Sequence, residues 1–267
     1  TTATRLGVPL RFHNRSGVPM YITPMDNWIE GAREALVNVT SITADREING
    51  AAFTRDDFFL SGSNNGRSPN KIYHLDRDFN LRGQFDQPGD QGGVGFRDLG
   101  SDGIDILYGG NESQIVEFAS DGELGEIYRG PEDIGCFKAI GADFVNPHAE
   151  VDFYLSGDEG FIIRADGEMW ERDRIQIGDT VLAIGVKGNS RALYIVTKPN
   201  PEDYLLSLIL PDEDRIIPLY SLRNPEGSRM GGIEVTQNWN PGQGSLVGIW
   251  KGEGEDGDRL FVENLYT

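Results

Sequence analysis

A pattern of four short apolar runs recurs along this chain, and it constrains the fold more than any other feature. Copies begin at Asn49, Phe96, Phe137, Leu182 and Gly232, so successive starts are 47, 41, 45 and 50 residues apart. Each copy contains a run of small residues, an aromatic-rich run such as DFFLSG, a third run such as KIYHLD and a polar fourth run such as LRGQFD. Turn signals such as Asp-Gly separate the runs, which is typical of antiparallel hairpins. Four strands per unit at this period predict the blades of a β-propeller.

The segment before Asn49 reads as a degenerate sixth copy. Its stretch LRFHNRSGVPMYITP, at residues 10–24, lines up with LAIGVKGNSRALYIVTKP at residues 182–199. The sequence therefore predicts a single all-β domain over residues 1–267, a six-bladed β-propeller with four antiparallel strands per blade. The predicted blades are 7–48, 49–95, 96–136, 137–181, 182–231, and 232–267 together with 1–6.

The last unit ends at its third run, RLFVENLYT, and lacks a fourth. We expect residues 1–6 to supply that strand and to close the ring, because closure removes exposed strand edges. Deleting residues 1–6 should then lower the melting temperature.

Residue types within the unit agree with its predicted layers. First strands line a crowded channel and carry small residues, second and third strands are buried between blades, and fourth strands are half solvated. The small residues of the first strands include Gly50, Ala51, Ala52, Ala139 and Ala183. The buried residues between blades include Phe58, Phe59, Tyr108, Phe153, Tyr154, Tyr194 and Trp250. The half-solvated residues of the fourth strands include Glu126, Arg129, Glu171 and Arg172.

The charge balance disfavours two classes of partner. The chain has 24 basic and 43 acidic residues, a net charge of −19, so its surface repels nucleic acid and anionic lipid. No apolar run is long enough to span a membrane. The acidity indicates either solubility in a salty or extracellular setting, or attraction of cations or a basic partner. A single cysteine, Cys136, excludes an intrachain disulfide.

Candidate binding residues come from the channel-lining strands and one loop. Asp98 and Glu234 are the acidic residues on first strands, and calcium would need more carboxylate ligands than these two. Basic residues are also expected on the channel-lining strands, namely Arg11, Arg97 and Lys138. They indicate either an anion site or internal ion pairs. His148, in the loop sequence NPHAE, is the histidine placed best to touch a ligand. We therefore predict a ligand site at the channel mouth that involves these residues.

Motifs for catalysis are absent from the sequence. There is no G-x-S-x-G nucleophile elbow, and the three histidines do not have zinc-ligand spacing. The sequence therefore gives no catalytic residue and leaves the nature of any metal unknown.

The units resemble six-bladed propellers of secreted bacterial multidomain proteins, of the NHL-repeat or lactonase-like architecture. The resemblance lies in FRDLGSDGIDILYGG, in KIYHLDRDFNLRGQFDQPG and in the closing GGIEVTQNWNPGQGSLVGIWKGEGEDGDRLFVENL, and it covers most of the chain after Asn49. It implies an extracellular or periplasmic location. Relatives with this architecture include calcium-dependent lactonases and phosphotriesterases as well as binding rings without an activity.

Together these observations predict a non-enzymatic ligand-binding, protein-binding or spacer domain without a cofactor. Its partner would be a protein, a small molecule or a carbohydrate, and the chain would be a monomer or part of a longer protein. The alternative is a calcium-dependent lactonase-like or phosphotriesterase-like hydrolase, with its site at the channel mouth and with Asp98 and Glu234 near the metal.

Overall fold

A computed structural model gives the architecture of the chain. It describes residues 11–13, 19–21, 32–89, 95–111, 114–130, 138–143, 152–157, 160–187, 192–201, 203–211, 215–240, 243–253 and 257–265. Near the N-terminus, β1 (Arg11–His13) and β2 (Pro19–Tyr21) form a two-stranded antiparallel sheet, and β3 (Ala32–Asn38) leads into a short helix, α1 (Val39–Thr43). Within the ranges given, no helix has the length and apolar character that a membrane crossing requires.

Five four-stranded antiparallel sheets contain all the other described strands, and β3 joins the last of them. The first blade consists of β4 (Ile48–Phe53), β5 (Asp57–Gly62), β6 (Lys71–Asp76) and β7 (Leu81–Asp86), and the second of β8 (Asp98–Ser101), β9 (Ile106–Asn111), β10 (Gln114–Ala119) and β11 (Leu124–Arg129). The third consists of β12 (Ala139–Asp143), β13 (Asp152–Ser156), β14 (Phe161–Ala165) and β15 (Glu171–Gln176), and the fourth of β16 (Val181–Lys187), β17 (Ala192–Thr197), β18 (Tyr204–Leu210) and β19 (Arg215–Leu222). The fifth consists of β20 (Arg229–Asn240), β21 (Gln243–Lys251), β22 (Arg259–Leu265) and β3.

The blades form a closed ring, which makes the fold a β-propeller. The innermost strands contact one another in the order β4, β8, β12, β16, β20 and back to β4. Apolar side chains are buried in five clusters among the described residues, and each cluster is shared by two consecutive blades, including the fifth and the first. Burial of these faces between blades is the main stabilising contribution, because apolar area leaves water on both sides of each interface.

The predicted layers of each unit are confirmed. The small residues Ala51, Ala52, Ala139 and Ala183 lie on innermost strands and are fully buried. Large aromatic residues of the second strands, among them Phe58, Tyr154 and Trp250, are buried between blades. The fourth strands β7 and β11 are largely exposed. The residue types of a strand therefore indicate how far that strand lies from the channel.

The hairpins between third and fourth strands are also as predicted. In the first blade, the Asp76 carboxylate accepts hydrogen bonds from the amides of Asp78 and Asn80, at 3.0 and 2.8 Å. In the third blade, Asp166 accepts equivalent bonds from the amides of Glu168 and Trp170, at 3.1 and 2.9 Å. An aspartate that holds its own turn explains why these two units carry this residue before their polar strands.

The prediction of six blades was wrong, because the described residues form five. The segment assigned to a first blade at 7–48 contributes β1, β2 and β3, and of these β3 belongs to the fifth blade. Its residue Asn38 pairs with Arg259, and Ala32 pairs with Asn264. An N-terminal strand does complete the last blade, but that strand is β3, whereas residues 1–6 lie outside the described ranges.

Side chains reinforce this closure. Arg33 on β3 donates from Nη2 to Oε1 of Glu263 on β22 at 2.9 Å. Asp258, which directly precedes β22, accepts hydrogen bonds from the amide of Ile48 at 2.6 Å and from the amide of Gly252 at 3.0 Å. Its backbone oxygen accepts from the Val39 amide at 2.9 Å. One buried aspartate thus connects the fifth blade, α1 and the first strand of the first blade.

Candidate functional site

A pocket of about 240 Å³ opens at one end of the central channel. It is lined by the ends of the innermost strands β8, β12, β16 and β20 and by the loop that follows β8. Ile104 and Gln237 at the pocket are exposed to solvent, whereas Glu234 is only 7% exposed. The pocket therefore leads from solvent to a buried carboxyl group.

Backbone groups of two other blades hold the carboxyl group of Glu234. The Phe53 amide, at the end of β4, donates to Oε2 of Glu234 at 2.5 Å, and Ser101 at the end of β8 makes a further backbone hydrogen bond. Burial raises the pKa of Glu234 well above its usual range, and the nearby carboxylates of Asp98 and Asp102 raise it further, whereas the two hydrogen bonds lower it. Glu234 is thus a restrained acid that keeps its proton to a higher pH than an ordinary glutamate and lines an open pocket.

Asp98 also lies in the channel, but protein atoms surround it. The Leu99 amide donates to Oδ1 at 2.9 Å and the Ile140 amide donates to Oδ2 at 3.4 Å. A Cβ atom at Gly232 would lie 1.8 Å from Oδ1 of Asp98, and one at Gly50 would lie 2.9 Å from its Cα. Burial raises the pKa of Asp98 well above its usual range. The two glycines are needed here because β4 and β20 approach β8 too closely for any side chain.

Two side chains organise the rim of the pocket. Oδ1 of Asp102 accepts hydrogen bonds from the amides of Ile104, Asp105 and Ile106, at 2.7, 3.0 and 3.1 Å, so this carboxylate holds its own loop. Nδ2 of Asn238 donates to the backbone oxygen of Thr54 at 2.9 Å and to that of Gly103 at 2.6 Å. The second contact joins the fifth blade to the loop that follows β8.

Trp239, next to Asn238, anchors the end of β20 on the first blade. Its ring centroid lies 5.5 Å from the centroids of both Phe53 and Phe58, and 6.0 Å from that of Phe79. Its Nε1 donates to Oε2 of Glu34 on β3 at 2.6 Å. The pocket wall formed by β20 is therefore fixed on both sides by aromatic packing and hydrogen bonds.

The structure brings together only part of the predicted site. Asp98 and Glu234 both lie in the channel, close enough for the charge of one to affect the pKa of the other. Arg97 and Lys138 directly precede β8 and β12, at the opposite ends of those strands from the pocket. Arg11 lies on β1, in the two-stranded sheet, so its assignment to a channel-lining strand of a blade was wrong.

His148 lies outside the described residues, so its place at a ligand site stays a prediction. Sequence reasoning missed Ser101, Asp102, Thr236 and Asn238, all of which line the pocket. Their signal was position alone, because each lies at the end of a first strand or just after it.

A calcium cage does not fit the channel acids. Both oxygens of Asp98 already accept backbone amides, and one oxygen of Glu234 does so too. Across the described ranges, no group of three or more His, Cys, Asp or Glu side chains is arranged to hold a metal ion. Calcium prefers six to eight oxygen ligands, several of them carboxylate oxygens.

Two solved structures show a distant similarity to this chain. The WD40 domain of Neurospora crassa Pan2 is 8% identical, with a TM-score of 0.49 over 91% of this chain and 98% of that one. A protein of unknown function from Bacteroides caccae is 13% identical, with a TM-score of 0.46 over 79% of this chain and 73% of that one. No protein-family model and no curated protein matches the chain. The fold is established by the ring of blades itself, and the chain is a β-propeller.

Proposed function

We propose that this chain is a binding propeller without a catalytic step, and that it receives its ligand in the pocket at the ends of the innermost strands. One observation carries the proposal: a buried carboxyl group, Glu234, lies in a pocket that opens to solvent at the centre of the ring. A concave site with a perturbed acid is the usual position of a ligand. Pockets for drug-sized ligands measure about 300–1,000 Å³. The 240 Å³ here suits a small molecule or a single side chain of a partner protein.

The polar groups of the pocket favour binding over chemistry. Oδ1 of Asp102 is engaged by three amides of its own loop, and Glu234 is held by backbone hydrogen bonds. A hydrolase would need a nucleophile or an activated water beside a base, with a partner that orients the base. Among the described lining residues only Glu234 and Asp102 have ionisable side chains, and backbone groups already hold both of them.

We further propose an extracellular or periplasmic bacterial location for the chain. The net charge of −19 supports this, together with the resemblance to propellers of secreted proteins. Fractionation of the native host, with detection of the chain by antibody, tests it. Recovery from the cytoplasm would contradict it.

A fragment screen tests the binding function. Ligand-observed NMR with small molecules of positive, negative and zero charge should find binders that compete with one another. Ala142→Phe, which fills the pocket wall, should abolish binding. Leu124→Phe, which adds a ring on the exposed strand β11, should leave binding unchanged.

Two results would overturn the proposal. One is the absence of any binder that Ala142→Phe affects. The other is turnover of lactones, esters or phosphotriesters in the presence of calcium, lost in Glu234→Gln, because it would make the chain an enzyme.

A further inference from the structure

We infer that the ligand of this pocket is an alkylammonium group, the side chain of a lysine on a partner protein, with Glu234 as its counter-ion. This inference rests on the proposed binding function and adds the chemistry of the ligand. Three features of the pocket support it: its walls, its charges and the number of free lone pairs on its carboxyl group.

The walls of the pocket match a chain of methylene groups. Ile104, Ala142, Val186 and Val235 contribute apolar side chains to the lining, while Glu234 contributes the buried acid. Lysine has the complementary division, because its four-carbon stem packs on apolar surface and its charged end seeks polar partners. Ser101, Thr236, Gln237 and Asn238 also line the pocket, so polar partners for the charged end lie beside the apolar part.

The charges around Glu234 favour a cation and repel an anion. The titratable groups that face it are Asp98 on β8 and Asp102 in the loop after β8, while β4 contributes the amide of Phe53. Among the described residues, the pocket lining contains two acids, Asp102 and Glu234, and no lysine, arginine or histidine. The whole chain carries a net charge of −19, which raises the local concentration of cationic partners.

Ammonium fits this carboxyl group better than guanidinium. Glu234 already accepts hydrogen bonds from the backbone of Phe53 and Ser101. A carboxylate has about four lone-pair sites, and arginine would take one more on each oxygen through two parallel hydrogen bonds. Lysine is a compact point charge and needs only one of them.

Binding of a cation is expected to release a proton. Burial and two neighbouring acids raise the pKa of Glu234, so the free protein holds a proton there up to a pH above the usual range of a glutamate. An ammonium group beside it favours the carboxylate and lowers that pKa. Ligand affinity should therefore rise with pH until Glu234 is ionised in the free protein.

Calorimetry on the intact chain tests the inference with n-butylamine, Nα-acetyl-lysine N-methylamide and neutral 1-butanol. Both amines should bind and butanol should not. Glu234→Gln should weaken amine binding by about tenfold or more, the range expected when a hydrogen bond to a charged group is lost. Glu123→Gln makes the same charge change at an exposed turn of the second blade and should have no effect. On the wild-type protein, titration in two buffers of different ionisation enthalpy should show proton release.

Each outcome decides between alternatives. Binding of n-butylamine without binding of the capped lysine would assign the pocket to a free amine and overturn the side-chain source. Binding of neutral fragments alone, blocked by Ala142→Phe, would overturn the ammonium inference and leave the binding function standing. Equal amine affinity in wild type and Glu234→Gln, with no proton released, would also overturn it. Absence of every binder would contradict both proposals.

Discussion

Two buried acids in the same channel, Asp98 and Glu234, have different surroundings and therefore different uses. Both lie on innermost strands, and burial is the largest cause of the raised pKa of each. Asp98 is enclosed by backbone, with Gly50 and Gly232 pressed against it. Glu234 is held on one side only and faces a pocket on the other. Both are acids on innermost strands, so the space left between neighbouring strands decides which of them a ligand can reach.

We expect the largest effect on stability from a side chain added next to Asp98, the enclosed acid. A Cβ atom at Gly50 would lie 2.7 Å from the Leu99 nitrogen and 2.9 Å from the Asp98 Cα, both backbone atoms that cannot rotate away. We expect Gly50→Ala to lower the free energy of unfolding by about 3 kcal/mol or more, as overpacking does. Urea denaturation measures this change.

Gly100 on β8 provides the matched control, since no atom lies within 4 Å of the Cβ that Gly100→Ala would add. That substitution should change the free energy of unfolding by less than about 1 kcal/mol. Equal destabilisation by both substitutions would show that β4 and β8 do not approach as closely as described.

Next in size is the effect of Asp98→Asn on the pH dependence of stability. The folded protein holds a proton on Asp98 above the ordinary pKa of 3.8, at pH values where the unfolded chain has lost it. The contribution of Asp98 to stability is therefore fully present below pH 3.8 and is lost as the pH rises through the folded pKa. Asn keeps an acceptor for the Leu99 amide and does not titrate. The variant should gain stability relative to wild type between pH 4 and pH 8, and parallel stability curves would contradict this.

Glu234→Gln should change stability with the same sign, but unlike Asp98→Asn it should also remove the stabilising effect of an amine. Its ordinary pKa is 4.5 and its folded pKa is raised, so the wild-type protein again loses stability as the pH rises from there. Saturating n-butylamine should reduce that loss in wild type and in Asp98→Asn, but not in Glu234→Gln. Thermal unfolding at several pH values measures it. An amine effect that persists in Glu234→Gln would place the amine elsewhere.

The smallest effect is expected at the rim. Asn238→Ala removes two hydrogen bonds, to the backbone oxygens of Thr54 and Gly103, but the side chain is only half-buried and water can replace it. We expect a loss of about 1 kcal/mol in the free energy of unfolding. The neighbouring exposed residue provides the control Gln237→Ala, which should cost nothing measurable. A loss above about 3 kcal/mol would mean that the rim is as tightly constrained as the enclosed acid.

The sequence predicted the strands and their layers because each unit repeats a local pattern. Ala51 and Phe58 could be placed on channel and interface strands from residue type alone. Glu234 was found because it is an acid on a first strand. Asn238 was missed because its partners, Thr54 and Gly103, come from two other blades, and no local pattern encodes that meeting.

The number of blades was missed for a related reason. The residues of β3 have the composition of an outer strand, and an outer strand looks the same whichever blade it joins. Its partner β22 lies at the other end of the sequence, and Arg33 and Glu263 are 230 positions apart. Only the pairing of these strands distinguishes a fifth blade completed by β3 from a sixth blade of its own.

That separation along the chain has a consequence for synthesis. A ribosome adds about 5–20 residues per second, so β3 waits roughly 10–50 s for the strand with which it pairs. During that interval the first four blades can fold, while the edges of β3 carry unpaired backbone groups that attract other strands. Completion of the ring therefore follows the synthesis of all the strands of the first four blades, and the interval before it is when a chaperone would be most useful.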